Sequence, residues 1–276
     1  MIDLHAHILP AVDDGSADVE ESLAMVRMGW EEGIRTICAT PHLLEAPNRE
    51  LIDLFASSFQ DLKERVLADG PPVNLVLGSE VYFQPEIERV LAFPRLTLNG
   101  TGKYLLMEFP MQGIPPGAEK IVFNLIMGGI IPIVAHPERN FSVLRNEAAL
   151  EPIVHTGALI QVNAGSLEGQ FGKQVKKTAL SLLKKGLVHL IGSDAHNAAD
   201  RPVSLRRAVE SAAQAVGQEE AQLLVTANPE RVLAGEPLLI NRLLPPEPLG
   251  AGFLRKMWRG MVGKLRVLNN FQLLVL

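Results

Sequence analysis

The chain of 276 residues has one cysteine, Cys38, so it can build no internal disulfide, and a reducing cytoplasm is its expected setting. No apolar run approaches the ~18–20 residues of a membrane span. The opening segment, Met1 to His7, has no basic stretch ahead of an apolar one, so no signal peptide is expected. Neither GxGxxG nor GxxxxGK[ST] follows the first apolar run, which removes both nucleotide fingerprints. The net charge of −5 gives the whole molecule no nucleic-acid footprint. Acidic residues stop at Glu247, yet five bases follow: Arg255, Lys256, Arg259, Lys264 and Arg266. A basic end on an acidic body needs its own explanation.

What is present is an alternation. Short apolar runs fall at 2–7, 36–42, 74–83, 104–110, 131–136, 158–164 and 187–194. Most are too uniformly apolar to have a wet face, which is how parallel strands covered by helices read. Helical stretches lie between them. From Asp18 to Gly33, Val19, Leu23, Val26 and Trp30 form one stripe, with Asp18 as N-cap and Glu21 at the capping-box position. From Gly172 to Lys185, Val175, Ala179 and Leu182 repeat at helical spacing, and Gly186 follows as a stop. Seven repeats of strand and helix predict an α/β chain folded as a βα barrel over residues 1–244, with a doubly wound open sheet as the structural alternative.

Metal-binding side chains cluster at the ends of these runs. His5 and His7 end the first, His42 the second and His136 the fifth; Glu80 and Glu108 lie late in the third and fourth; Asp194 and His196 end the seventh. In a parallel barrel all of these lie at the C-terminal mouth. His5-x-His7 and Asp194-x-His196 have the spacing that aims two side chains the same way from a strand. Asp13 and Asp14 follow the first pair on a loop, and Asn163 is a weaker candidate at the same level. Taken singly, each has an ordinary reading: a hydrogen-bonded strand-end histidine, a surface acid, a turn. Five of the seven histidines at strand ends make the joint pattern a metal centre. Imidazoles and carboxylates without thiolate suit Mn²⁺, Zn²⁺ or Fe²⁺, and eight or nine ligands exceed one ion's needs. His155 and His189 stand outside the pattern and read as ordinary structural residues.

These residues resemble the polymerase-and-histidinol-phosphatase (PHP) family, in the form found in bacterial tyrosine phosphatases of capsule and exopolysaccharide clusters. The similarity is carried in order by His5-Ala6-His7 with Asp13-Asp14-Gly15, Ala39-Thr40-Pro41-His42, Gly78-Ser79-Glu80, His136-Pro137-Glu138-Arg139 and Gly192-Ser193-Asp194-Ala195-His196. It runs from residue 1 to about 240. The resemblance implies a distorted (β/α)7 TIM-like barrel with three divalent metal ions, Mn²⁺ by family preference. It implies one ion on His5, His7, Glu80 and Asp194, a second on Glu80, Glu108 and His136, and a third on Asp14, His42 and His196. Arg139 and Arg201 resemble the arginines that clamp phosphate in that family. The implied activity is hydrolysis of phosphotyrosine on proteins, the implied partner a bacterial tyrosine kinase that controls polysaccharide export. Cys38 is followed six residues later by Leu44 rather than Arg, so the Cys-x5-Arg loop of thiol phosphatases is absent.

Two alternatives remain at this level: a small-molecule phosphatase such as histidinol-phosphate phosphatase, and a binding module on a decayed barrel, which lost ligands would mark. The segment after His42, through Glu50, is less family-like and is expected at the rim of the mouth. Beyond the barrel, residues 245–276 read as a proline-rich linker and a C-terminal helical extension. Leu254, Met257, Trp258, Met261, Leu265 and Leu268 share one helical face opposite Arg255, Arg259 and Arg266, interrupted by Gly260 and Gly263. Such a basic amphipathic helix either contacts the inner membrane face peripherally, or packs on the barrel or a second subunit.

Overall fold

The computed structural model describes residues 1–238, so the linker and tail expected over 245–276 lie outside the described residues. Met1–Leu238 forms one unit. It is an α/β fold whose strand pairings are all parallel. The strands are β1 (Ile2–Ala6), β2 (Thr36–Ala39), β3 (His42–Leu43), β4 (Asn74–Leu77), β5 (Glu80–Tyr82), β6 (Tyr104–Glu108), β7 (Ile131–Ala135), β8 (Leu159–Asn163) and β9 (Leu190–Gly192). They form two sheets, ordered β1-β2-β4 and β3-β5-β6-β7-β8-β9.

Seven apolar runs thus become nine strands, because the second and third runs each break once. Pro41 interrupts the second, having no N–H to give a ladder. Gly78 and Ser79 interrupt the third. Bonding continues across the paired breaks: Gly78 N donates to Ala39 O (2.9 Å) and Glu80 N to Pro41 O (3.0 Å). At the other margin, Ala6 bridges Ala195, Asp194 N donates to His5 O and His7 N to Ala195 O, both at 2.8 Å.

The predicted helices form where their caps allow. Val19–Glu31 starts after Asp18, whose Oδ1 accepts from Glu21 N at 2.9 Å. Glu21 does reach back, but to Ala17 N (2.8 Å), one residue before the expected capping-box partner. Lys173–Lys184 buries Val175, Ala179 and Leu182 and is followed by Gly186 at φ +69°. Among the described residues no helix is long and apolar enough to cross a membrane.

A large apolar core joins strands to helices, and a smaller cluster is made mostly of strand residues, with Leu98 and Val232 from helical segments. On β6, Tyr104 and Leu106 belong to the smaller cluster and Glu108 follows at the next two-residue step. On β8, Leu159 is followed likewise by Gln161 and Asn163. A strand alternates faces, so the polar groups continue the same side as the apolar cluster. Cys38 belongs to it, fully buried, and burial pushes its thiol pKa up, as suits a packing residue.

His189 is structural, as its sequence position suggests. It is half-buried, and its Nδ1 accepts from Ile160 N at 3.1 Å, which requires the neutral ring. Burial lowers its pKa from 6.5 to about 4. The unfolded chain therefore takes up a proton between those values that the folded chain refuses. The stability His189 contributes is complete above pH 6.5 and is lost as pH falls toward 4, by up to about 3 kcal/mol. Urea unfolding at pH 7 and pH 4.5 should show a smaller stability loss in His189→Gln than in the parent chain; equal losses would remove His189 as a cause.

Candidate metal centre

His5 lies in β1 and His7 one residue past it, with their Nε2 atoms 3.1 Å apart. Each ring is oriented from behind. His5 Nδ1 lies 2.9 Å from Gln161 Oε1, and Gln161 spends its amide N–H groups on Val162 O and Asn163 Oδ1. His7 Nδ1 donates to Asp13 Oδ2 at 2.8 Å. His196 Nδ1 donates to Asp194 O at 3.0 Å. In all three, Nδ1 is the donor, which leaves the Nε2 lone pair for the centre, the arrangement metal-binding histidines need.

The loop after β1 folds back over His7. Ser16 N donates to His7 O at 3.0 Å, and a Cβ on Gly15 would overlap His7 O and Cβ. Glycine is thus required there by close approach. The fold-back brings Asp13 across to the next run, where its Oδ2 also accepts from His42 N at 2.9 Å. Asp14 points outward, but its Oδ1 lies 3.4 Å from both His42 Nε2 and His196 Nε2. Gly192 likewise stands where a Cβ would meet His5 Cβ at 2.9 Å, so β9 can press against β1.

Glu80, wholly buried at the start of β5, is the hub. Its Oε2 lies 3.1 Å from His5 Nε2, 3.3 Å from His7 Nε2 and 3.2 Å from His42 Nδ1; its Oε1 lies 3.0 Å from His136 Nε2. Glu108, at the end of β6, is 3.8 Å from His136 Nε2. Asp194 Oδ1 lies 3.4 Å from His5 Nε2 and 3.5 Å from His7 Nε2. Three groups each hold ligand atoms within 4.8 Å of one another: His5, His7, Glu80 and Asp194; His7, Asp14, His42 and His196; and His42, Glu80 and Glu108. The second and third are wider than or different from the sets the resemblance implies, because His7 and His42 each stand between two groups.

Two details differ from the strand-spacing argument. β9 stops at Gly192, so Asp194 and His196 do not project from a strand. Asp194 instead takes a left-handed backbone (φ +54°), and His136, just past β7, does the same (φ +32°). Non-glycine residues in that region cost about 1–3 kcal/mol each and collect at functional sites.

The electrostatics fit a cation. Burial alone would raise Glu80 and Asp194, but the neighbouring histidines, His5 first, hold both carboxyls well below their usual range. Burial alone would lower His136, but Glu80 lifts it to about 9; His7 is lifted likewise by Asp13, Asp194 and Glu80. Burial lowers His42, and burial with the charge of His7 lowers His196 to about 4. Burial and Glu80 raise Glu108. The upward push on His7 and His136 marks where the carboxylates call for positive charge. Glu80 Oε2 and His42 Nδ1 are buried, have no hydrogen-bond partner and face each other. Two such atoms suit a shared cation, and the all-oxygen-and-imidazole donor set suits Mn²⁺, Zn²⁺ or Fe²⁺.

Above the ligands, Arg139 closes the short turn Pro137–Arg139 and Arg201 lies in the loop after His196. Arg139 Nη1 (2.9 Å), Arg201 Nη2 (2.5 Å) and Asn163 Nδ2 (2.5 Å) all donate to Asp194 Oδ2. Both arginines line a cleft of about 580 Å³ with Asp14, His42, Glu108 and His136. Leu44, 64 % exposed, and Glu45 also line it, which puts the segment after His42 at the rim as expected.

Sequence reasoning had no role for Gln161 or Phe171 and left Asp13 as a loop acid. Gln161 precedes Asn163 by two residues on β8, so strand periodicity could have found it. Phe171, beneath Arg139, carried no signal.

Comparison with known proteins bears on this geometry. The family described as capsular polysaccharide synthesis, CpsB/CapC, matches residues 1–234. The chain belongs to the CpsB/CapC family. The tyrosine-protein phosphatase YwqE of Bacillus subtilis (strain 168) is 37% identical over 250 residues, covering 90% of this chain and 96% of YwqE. The putative tyrosine-protein phosphatase CapC of Staphylococcus aureus is 30% identical over 262 residues, 95% of this chain and all of CapC. A crystal structure from work on YwqE and on CpsB of Streptococcus pneumoniae, called unique metal-dependent tyrosine phosphatases, superposes with a TM-score of 0.82 at 37% identity, covering 91% of this chain and 100% of that one. These CpsB/CapC relatives carry the names of phosphotyrosine enzymes, and none of the three is named as a histidinol phosphatase.

Proposed function

We propose that this chain is a metal-dependent protein-tyrosine phosphatase acting in the cytoplasm on a bacterial tyrosine kinase that controls capsular or exopolysaccharide synthesis. The observation that carries the reading is the convergence of eight carboxylates and imidazoles in three overlapping groups, at a cleft that His136 and two arginines also line. The family's description and the relatives' names support the substrate class. The seven runs are read as a closed, distorted (β/α)7 barrel. Its support is the Ala6–Ala195 bridge beside β9 and the apolar cluster among the strands.

In this reading His5, His7, Glu80 and Asp194 hold one divalent ion, Glu80, Glu108 and His136 a second, and Asp14, His42 and His196 a third, with Mn²⁺ first and Zn²⁺ or Fe²⁺ accommodated. When bound, divalent ions lower the pKa of water and make hydroxide available at neutral pH. The chain's own residues do the rest. Asp13, Gln161 and the Asp194 carbonyl hold three imidazoles with Nε2 inward. Arg139 and Arg201 line the cleft, where paired donors suit phosphoryl oxygens and oppose the charge that grows on them. A tyrosine leaving group departs as phenolate, of pKa near 10, so little acid help is needed at its oxygen.

The test is substrate choice. With Mn²⁺ present, phosphate release from a phosphotyrosine peptide should exceed that from a phosphoserine peptide or histidinol phosphate by at least about tenfold. Faster release from histidinol phosphate would overturn the substrate and keep the metal centre.

A further inference from the structure

We propose that Phe171 is a positioning residue for the phosphate clamp, its ring holding the two guanidiniums by their faces so that their N–H edges stay aimed at the substrate. The inference rests on reading Arg139 and Arg201 as that clamp. The Arg139 guanidinium carbon lies 4.3 Å from the centre of the Phe171 ring, and that of Arg201 lies 6.0 Å away. The two arginines come from separate loops, and Phe171 and Asp194 are what they share.

The two shared partners do different things. Asp194 Oδ2 takes one N–H from each guanidinium. Among the described residues it is the one carboxylate in ion-pair contact with either arginine, so two positive charges meet one negative. Asp13, Asp14, Glu45 and Glu108 also line that cleft, so the two guanidiniums offer an anion its seat there once bound cations offset those acids. A single hydrogen bond, however, leaves a guanidinium free to swing about it. An aromatic face restrains the planar group without using any of its five N–H donors. A guanidinium restrained in this way keeps its edges for phosphoryl oxygens.

The backbone places the ring deliberately. Phe171 sits in a turn between Gly169 (φ +97°) and Gly172 (φ +93°), closed by Gly172 N donating to Gly169 O at 3.1 Å. Gln170 N donates to Gly165 O at 2.9 Å, folding the turn onto the helix Ala164–Glu168. Gly165 is bare at that spot: a Cβ there would come within 3.1 Å of Phe171 Cε2. Phe171 is half-buried and lies outside both apolar clusters, so changing it need not unpack the core.

The test uses the full chain loaded with Mn²⁺ and inorganic phosphate as the probe, read two ways: competitive inhibition of phosphotyrosine-peptide turnover, and the rise in melting temperature that phosphate causes. Phe171→Leu should weaken phosphate about tenfold and raise KM more than it lowers kcat, with metal content unchanged. Phe171→Tyr, which keeps an aromatic face, should return phosphate affinity to within about twofold of the parent. Arg139→Ala and Arg201→Ala are measured alongside. If the arginine variants weaken phosphate and Phe171→Leu does not, the inference is overturned and the clamp stands. If Phe171→Leu and Phe171→Tyr weaken it equally, the aromatic face is not the cause, and the inference also falls. If neither arginine variant affects phosphate, the clamp itself is wrong and the inference goes with it.

Discussion

Glu80→Gln should reduce kcat by at least about a thousandfold while the metal-free protein still folds. The glutamine keeps the volume of Glu80 and one acceptor oxygen. It removes the charge and puts a donor where four imidazoles approach within 3.0–3.3 Å. No other carboxylate of the centre touches so many ring nitrogens. The orphaned Oε2, buried and without a hydrogen-bond partner, is the atom whose loss an ion would feel most. The variant should therefore also bind fewer Mn²⁺ equivalents, and added Mn²⁺ should raise its melting temperature less than the parent's. Retention of more than about a tenth of kcat would remove Glu80 from the hub of the centre.

Arg139→Ala and Arg201→Ala should each lower kcat/KM for phosphotyrosine peptide by about a hundredfold, the usual effect of losing one donor to a developing anionic charge. The double variant should lose less than the product of the two, because both arginines bond the same oxygen, Asp194 Oδ2, and couple through it. Metal content separates two roles. If it is unchanged, the arginines act on substrate. If activity falls only in step with metal content, they serve to orient Asp194, and the clamp reading fails.

The sequence carried the centre further than it carried the strands. Run ends brought His5, His7, His42, Glu80, Glu108 and His136 together, although only His5 and Glu108 lie in the closing residues of a strand: His7 and His136 lie one residue past β1 and β7, and His42 and Glu80 open β3 and β5. What it could not place was where each strand stops. The third run reads as one apolar stretch, yet Gly78 and Ser79 divide it into β4 and β5. β9 ends two residues before Asp194, whose aim comes from a left-handed backbone rather than from pleat. Periodicity assumes regular dihedrals and fails where the chain departs from them.

Residues that act through other residues were harder still. Asp13 reads as half of an Asp-Asp-Gly turn. Its carboxylate, brought down to a pKa of about 2 against the push of burial by its bond to His7, joins the first and second runs. That role depends on the fold-back which Gly15 permits, a distance no linear spacing encodes. Phe171 is an aromatic between two glycines until Arg139 and Arg201 arrive from elsewhere in the chain.

The central claim, metal-dependent phosphotyrosine hydrolysis at this centre, is tested most directly by phosphate release from a phosphotyrosine peptide by the metal-stripped protein, with and without added Mn²⁺, beside His136→Ala. The account predicts release that appears only on adding Mn²⁺ and is absent from His136→Ala. Full release from the stripped protein, or an unimpaired His136→Ala, would contradict it.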